Sequence, residues 1–129
     1  MAQKLYELTF EERSGYLFAR LKSDIITRDI AIDYLQDLGM KCDELQVSHL
    51  LMVRDIPEML SPASADITTE KAAQFLQGIR TAFVNPHPAI HEDLELAITK
   101  SRNHGAQFSL HNCFEDAEEW LLDLDDQRA

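Results

Sequence analysis

Apolar and polar residues alternate with a period of two at the start of the chain. The alternation covers Tyr6–Glu11, and it resumes over Tyr16–Lys22 after a turn at Ser14–Gly15. Because successive side chains of a strand point to opposite faces of a sheet, each segment is predicted to be a half-buried strand. The short turn between them predicts an antiparallel hairpin.

The next part of the chain changes to helical spacing and then to a continuous apolar run. Thr27 is predicted to cap a helix that passes through Gly39 and ends at Cys42 or Glu44. Ser48–Val53 is apolar almost throughout and is bounded by polar residues, which predicts a buried central strand.

Two further strand–helix units follow in the last third of the chain. The predicted strands Thr81–Val84 and Gln107–Leu110 are each followed by a polar turn and an amphipathic helix. Pro88 suits the first position of one helix, and Asn112 with Glu115 forms a capping box for the other. The 129 residues therefore predict one α/β domain with the order ββαβαβαβα, a mixed sheet of about five strands and four helices.

The least regular segment is Arg54–Ile67, which contains two prolines and several small residues. Asp66 or Thr68 is predicted to cap the helix that follows it. The apolar residues of this segment have three interpretations: they cover the core, line a small apolar cavity or form an interface. The predicted ligand or partner surface consists of Ile56, Met59, Leu60 and Ile67.

The end of the chain is apolar on one face and strongly acidic. Trp120 and Leu121 are predicted to pack against the sheet, with Trp120 largely buried. Residues 124–129 are predicted to be a frayed acidic tail.

Net charge and cysteine content narrow the classes of function. The formal net charge is −11, which argues against binding to nucleic acid or to an anionic membrane surface. The same charge is compatible with a basic protein partner. No apolar run approaches the roughly 20 residues of a membrane span, and two cysteines without a disulfide pattern predict reduced thiols. We therefore expect a cytoplasmic protein.

Few residues have the spacing of a chemical site. His87 and His91 are four apart, which suits a metal on one helix face, but His87 precedes the predicted helix start. His111 and Cys113 are neighbours in a loop without a third group to orient them. We expect solvated or structural side chains at these positions, no metal, no cofactor and no catalysis.

Several segments of the sequence resemble the STAS-like family, which is related to bacterial anti-sigma-factor antagonists. They are GYLFARL, SHLLMVRD and RTAFVNP, followed by LELAITKSRNHGAQFSLHNCFEDAEEWL. The C-terminal motif of the family is matched here by Asn103, Gly105, Trp120 and Leu121. The resemblance implies a single STAS-like domain over the whole chain and a regulatory role.

One family motif is absent. Anti-sigma-factor antagonists carry a Ser-Gly or Thr-Gly phosphoacceptor after the middle strand, where this chain has RDIPEMLSPAS. No phosphorylation site is therefore carried over to the hydroxyl residues of this region, which are Ser61, Ser64, Thr68 and Thr69. Helix capping and loop solvation account for them.

The leading hypothesis is a non-enzymatic regulatory module that binds a protein partner, either a basic protein or a second copy of the chain. The alternative is a binder of a small apolar ligand, such as a lipid, between the sheet and residues 56–67.

Overall fold

The computed structural model describes residues 6–123, so the predicted tail lies outside the described residues. The strands are β1 (Glu7–Arg13), β2 (Tyr16–Lys22), β3 (His49–Asp55), β4 (Arg80–Val84) and β5 (Phe108–His111). The helices are α1 (Arg28–Leu45), α2 (Pro62–Phe75), α3 (His91–Asn103) and α4 (Phe114–Leu121), with a 3₁₀ turn at Pro88–Ile90 before α3. No helix in the described part is both long and apolar enough to cross a membrane.

The five strands form one sheet in their sequence order, β1 to β5. β1 pairs with β2 in an antiparallel hairpin, and the remaining pairs are parallel. β3 is the middle strand. The predicted fold class, element order and central strand are confirmed, and the strand ends differ from the predicted ones by only one or two residues.

The two faces of the sheet are covered unequally. On one face the larger core packs against α1, α2 and α3, and its fully buried side chains include Leu21, Leu38 and Met52. On the other face, α4 is the one helix of the described residues that packs on the sheet, through Ala117 and Leu121. The alternation of β2 accounts for this division, since its odd-numbered positions face the larger core.

The predicted start of α2 is wrong. Neither Asp66 nor Thr68 caps this helix. It begins at Pro62, and the Ser61 hydroxyl accepts a hydrogen bond from the Ser64 backbone N–H at 3.4 Å. Proline is pre-organised for the first helical position, so the irregular segment ends six residues earlier than its composition suggested, and Ile67 lies on the helix.

The predicted cap of α4 is also wrong. Cys113 occupies the N-cap position and makes no side-chain hydrogen bond to the helix, and the helix begins at Phe114. Asn112 therefore stands one residue too early for its side chain to cap the first turn. The cap of α1 was predicted correctly, because Thr27 Oγ1 accepts a hydrogen bond from the Ile30 N–H at 3.1 Å.

Trp120 is half-buried rather than largely buried. Ala117 and Leu121, both fully buried, occupy the space between α4 and the sheet. Trp120 lies beside them, with the guanidinium carbon of Arg80 3.7 Å from its ring centroid. Its energetic role is a cation–π contact with one face of the indole.

Candidate functional site

The parallel strands β2 to β5 all end at one edge of the sheet, the carboxyl edge. Open α/β sheets bind their ligands just outside this edge. The connections that follow β3, β4 and β5 meet here, and they contain most of the residues that sequence analysis proposed for chemistry or binding.

A buried arginine holds the connection between β3 and α2. The Arg54 side chain is only 3% exposed, and its guanidinium donates to the carbonyl oxygens of Ile56 at 3.1 Å and Glu58 at 2.9 Å. The Glu58 carboxylate in turn accepts a hydrogen bond from the Ile26 N–H at 3.1 Å. These bonds satisfy backbone groups of an irregular segment, so the segment is fixed rather than free.

A carboxylate and an imidazole join β3 to the segment after β4. His87 Nε2 lies 2.7 Å from Asp55 Oδ1. The Asn85 side chain holds the backbone of His87 from both sides, donating to its carbonyl at 2.9 Å and accepting from its N–H at 3.0 Å. Both side chains are about one-third exposed, so this contact is a partly solvated link between two loops.

His87 and His91 do not form a joint site. His91 Nε2 lies 3.6 Å from Glu95 on its own helix, while the imidazole of His87 bonds to Asp55. Within residues 6–123, no three His, Cys, Asp or Glu side chains are grouped closely enough to hold a metal ion.

His111 and Cys113 are likewise separate. The His111 ring packs against the Trp120 ring, with centroids 5.8 Å apart. Burial lowers the pKa of His111, Arg102 lowers it further and Asp116 partly offsets both. In the described part of the chain no hydrogen bond joins its imidazole to the Cys113 thiol, so the pair lacks the activation that a thiolate nucleophile needs.

The four residues of the predicted ligand or partner surface have three different environments. Ile56 is fully buried in the larger core. Met59 and Leu60 are half-buried and line a cavity of about 60 Å³ between the sheet and the three helices. Ile67 is 43% exposed on α2. The predicted surface is therefore reduced to Met59, Leu60 and Ile67, which we call the β3–α2 surface.

The cavity behind this surface is lined mainly by apolar side chains, and its lining residues with polar atoms are Tyr34, Arg54, Thr68, Thr69 and Ser101. Phe83, Phe108 and Ile98 contribute aromatic and aliphatic walls. The Thr68 hydroxyl is buried and has no hydrogen-bond partner among the described residues. Ligand pockets typically measure about 300–1,000 Å³, so this cavity holds only a few atoms unless Met59 and Leu60 move.

Sequence reasoning missed Arg54 and the pairing of Asp55 with His87. Charged residues are rarely buried, so an arginine at the end of a strand is predicted to be exposed to solvent. The useful signal was its position, directly after the four apolar strand residues Leu50–Val53 and before a segment whose backbone groups have no regular partners.

Comparison with solved structures finds chains of similar fold. The structure of an anti-sigma factor antagonist from Mycobacterium paratuberculosis is similar, with a TM-score of 0.63 and 14% sequence identity, over 93% of this chain and 97% of that chain. No protein-family model matches the sequence, and no curated protein matches it. The chain therefore has the α/β fold of this anti-sigma factor antagonist, as its STAS-like resemblance predicted.

Proposed function

We propose that this protein is a non-enzymatic regulatory module that binds another protein through the β3–α2 surface. Two features of that region support the proposal, a loop held in place by hydrogen bonds and an exposed apolar side chain. Arg54 fixes the loop that precedes α2, and Ile67, which lies on α2 itself, keeps 43% of its area exposed. An exposed apolar residue on a fixed backbone favours binding, because little conformational entropy is lost on association.

The structural comparison supports the same class of function. The similar structure is named an antagonist of an anti-sigma factor, so the target of that protein is itself a protein. The formal net charge of −11 favours a partner with a basic surface, since opposite charges raise the association rate. A cytoplasmic location is part of this proposal.

Site-specific photocrosslinking tests the proposal. A benzophenone amino acid at position 67 should form a covalent adduct with a partner protein in cells, and one at position 96 should not. Leu96 is the matched control because it is a 56% exposed apolar residue on α3. Equal adducts at both positions would show that exposure alone, and not the β3–α2 surface, determines crosslinking.

Binding of the identified partner then gives the quantitative test. Ile67→Asp should weaken the affinity by at least about tenfold, and Leu96→Asp should leave it unchanged. A partner that binds Ile67→Asp with wild-type affinity would remove the β3–α2 surface from the proposal.

The apolar-ligand alternative has weaker support. The apolar cavity with the unpartnered Thr68 hydroxyl favours a bound ligand. The cavity volume of about 60 Å³ argues against one. Leu60→Trp would fill the cavity, so a ligand extracted with wild-type protein should be lost from this variant. Organic extraction and mass spectrometry of both proteins distinguish the two functions.

A further inference from the structure

A second surface lies between the outermost strand and α1, separated from β3 by β2. Leu8 and Phe10 of β1 form one wall of a groove, and Met40 and Lys41 of α1 contribute the other. The groove measures about 520 Å³. Met40 is 63% exposed, more than any other large apolar residue of the described chain. We call this feature the β1–α1 groove.

The backbone of β1 offers hydrogen bonds along the same groove. No strand within residues 6–123 pairs with its outer edge. Arg13 and Tyr16 close a two-residue hairpin, and hydrogen-bonded pairs alternate from such a closing pair. The N–H and C=O groups of Leu8, Phe10 and Glu12 therefore point away from β2. The same three positions direct their side chains towards α1, so unpaired backbone and apolar side chains lie together.

The rim of the groove is acidic. Asp37 and Glu44 border it on α1, and Glu12 is exposed on the same side of β1, while Glu7 and Glu11 are exposed on the opposite side. The single lysine of the groove, Lys41, already lies 2.8 Å from the Glu44 carboxylate. β1 itself carries three exposed glutamates, Glu7, Glu11 and Glu12, against one arginine, Arg13, so a segment that docks along its edge meets a net negative strand.

We propose that the β1–α1 groove binds an extended basic segment of a partner protein, which adds to the edge of β1 as a sixth strand. Backbone hydrogen bonds to β1 would provide affinity, and alternate apolar side chains would enter the groove against Phe10 and Met40. Lysine or arginine residues between them would point to the opposite face of the sheet, where Glu7 and Glu11 of β1 are exposed. This inference does not depend on the β3–α2 surface, so an experiment that disproves one of the two proposals does not affect the other.

Charge also decides between this occupant and a second copy of the chain. Pairing of two β1 edges would bring the glutamates of both strands and both acidic rims together, at a formal net charge of −11 per copy. Like charges that face each other across a strand pair are destabilising. A basic segment removes this repulsion, so it is the favoured occupant.

Titration with synthetic peptides, followed through the backbone amide signals by NMR, tests the proposal. The probe is an acetylated heptapeptide of alternating lysine and valine. One control peptide carries glutamate in place of lysine, and another carries N-methyl groups on the backbone amides that would pair with β1. The lysine–valine peptide should shift the amide signals of Leu8, Phe10 and Glu12 and saturate at one peptide per chain, while both control peptides should not bind.

Two variants and one control locate the site. Met40→Asn removes the exposed apolar wall and should weaken peptide binding by about tenfold, and Leu96→Asn should not change it. Glu12→Pro removes an outward N–H and should abolish binding; proline is tolerated on an edge strand, and the amide spectrum itself reports whether the variant folds.

Three results would overturn the proposal. Equal binding of the N-methylated peptide would show charge attraction without strand addition. Shifts of the same β1 amides with protein concentration alone would identify a second copy as the occupant. Strong peptide binding only after deletion of residues 1–5 would identify the chain's own terminus as the occupant.

Discussion

Gly39 stands in the middle of α1, and its replacement by alanine should destabilise the protein. A Cβ atom built on Gly39 lies 2.4 Å from the carbonyl oxygen of Phe75 in α2. Ordinary contacts of this kind are about 3.5 Å or longer, so the two helices must separate by about 1 Å. The neighbour is backbone and cannot rotate away as a side chain would.

The magnitude follows from two opposing effects. Overpacking of a core contact costs about 1–3 kcal/mol, and a rigid backbone neighbour favours the upper end of that range. Alanine in place of glycine stabilises a helix interior by about 1 kcal/mol. We expect a net loss of about 2 kcal/mol in the free energy of unfolding for Gly39→Ala.

Urea unfolding followed by far-ultraviolet circular dichroism measures this change. Gln36→Ala, at an exposed position of the same helix, is the matched control and should change the free energy of unfolding by less than about 0.5 kcal/mol. If Gly39→Ala proved as stable as wild type or more stable, the close approach of α1 and α2 would be refuted.

Three further predictions concern single side chains. Arg54→Met should lower the free energy of unfolding by roughly 2–4 kcal/mol, because two loop carbonyls lose their hydrogen bonds. Urea unfolding measures this change, and a loss below about 1 kcal/mol would mean that water replaces the guanidinium. Leu121→Ala should lower the free energy of unfolding by about 2–5 kcal/mol, whereas Trp120→Ala should lower it by only about 1–2 kcal/mol. A larger loss for Trp120→Ala than for Leu121→Ala would contradict the half-buried position of Trp120. Burial raises the pKa of the Cys42 thiol to about 11, so at about pH 8 its thiolate is almost absent. Ellman's reagent should therefore label the half-buried Cys113 in the native protein and Cys42 only after unfolding, and rapid native labelling of both would contradict this.

Much of the fold could be predicted because hydrophobic periodicity and local capping are properties of short segments. The alternation in β2 separates its two faces correctly, and the apolar run of β3 requires cover on both faces. Thr27 was recognisable as a cap because its partner is only three residues away. Such features depend on neighbours within a few residues.

The incorrect predictions have separate causes. Pro62 was interpreted as part of an irregular segment, although proline also starts helices and the Ser61 cap has its partner only three residues away. Trp120 was expected to be buried because its spacing places it beside Leu121 on the apolar face of α4, whereas it lies at the margin of that face, in contact with Arg80.

The candidate site was less predictable than the fold. Asp55 and His87 are 32 residues apart in sequence, and no local pattern indicates that they meet. The same holds for the β1–α1 groove, which forms where Phe10 and Met40 approach each other from separate elements. The one local signal was Met40 itself, an apolar residue on the polar side of an amphipathic helix.

Native mass spectrometry of the protein purified gently from its own cells tests the central claim most directly. A regulatory interaction module should appear in a stoichiometric complex with a second protein, and Ile67→Asp should release that protein while Leu96→Asp retains it. Retention of a small molecule of a few hundred daltons on the isolated chain, lost in Leu60→Trp, would contradict the proposed function and favour the apolar-ligand alternative.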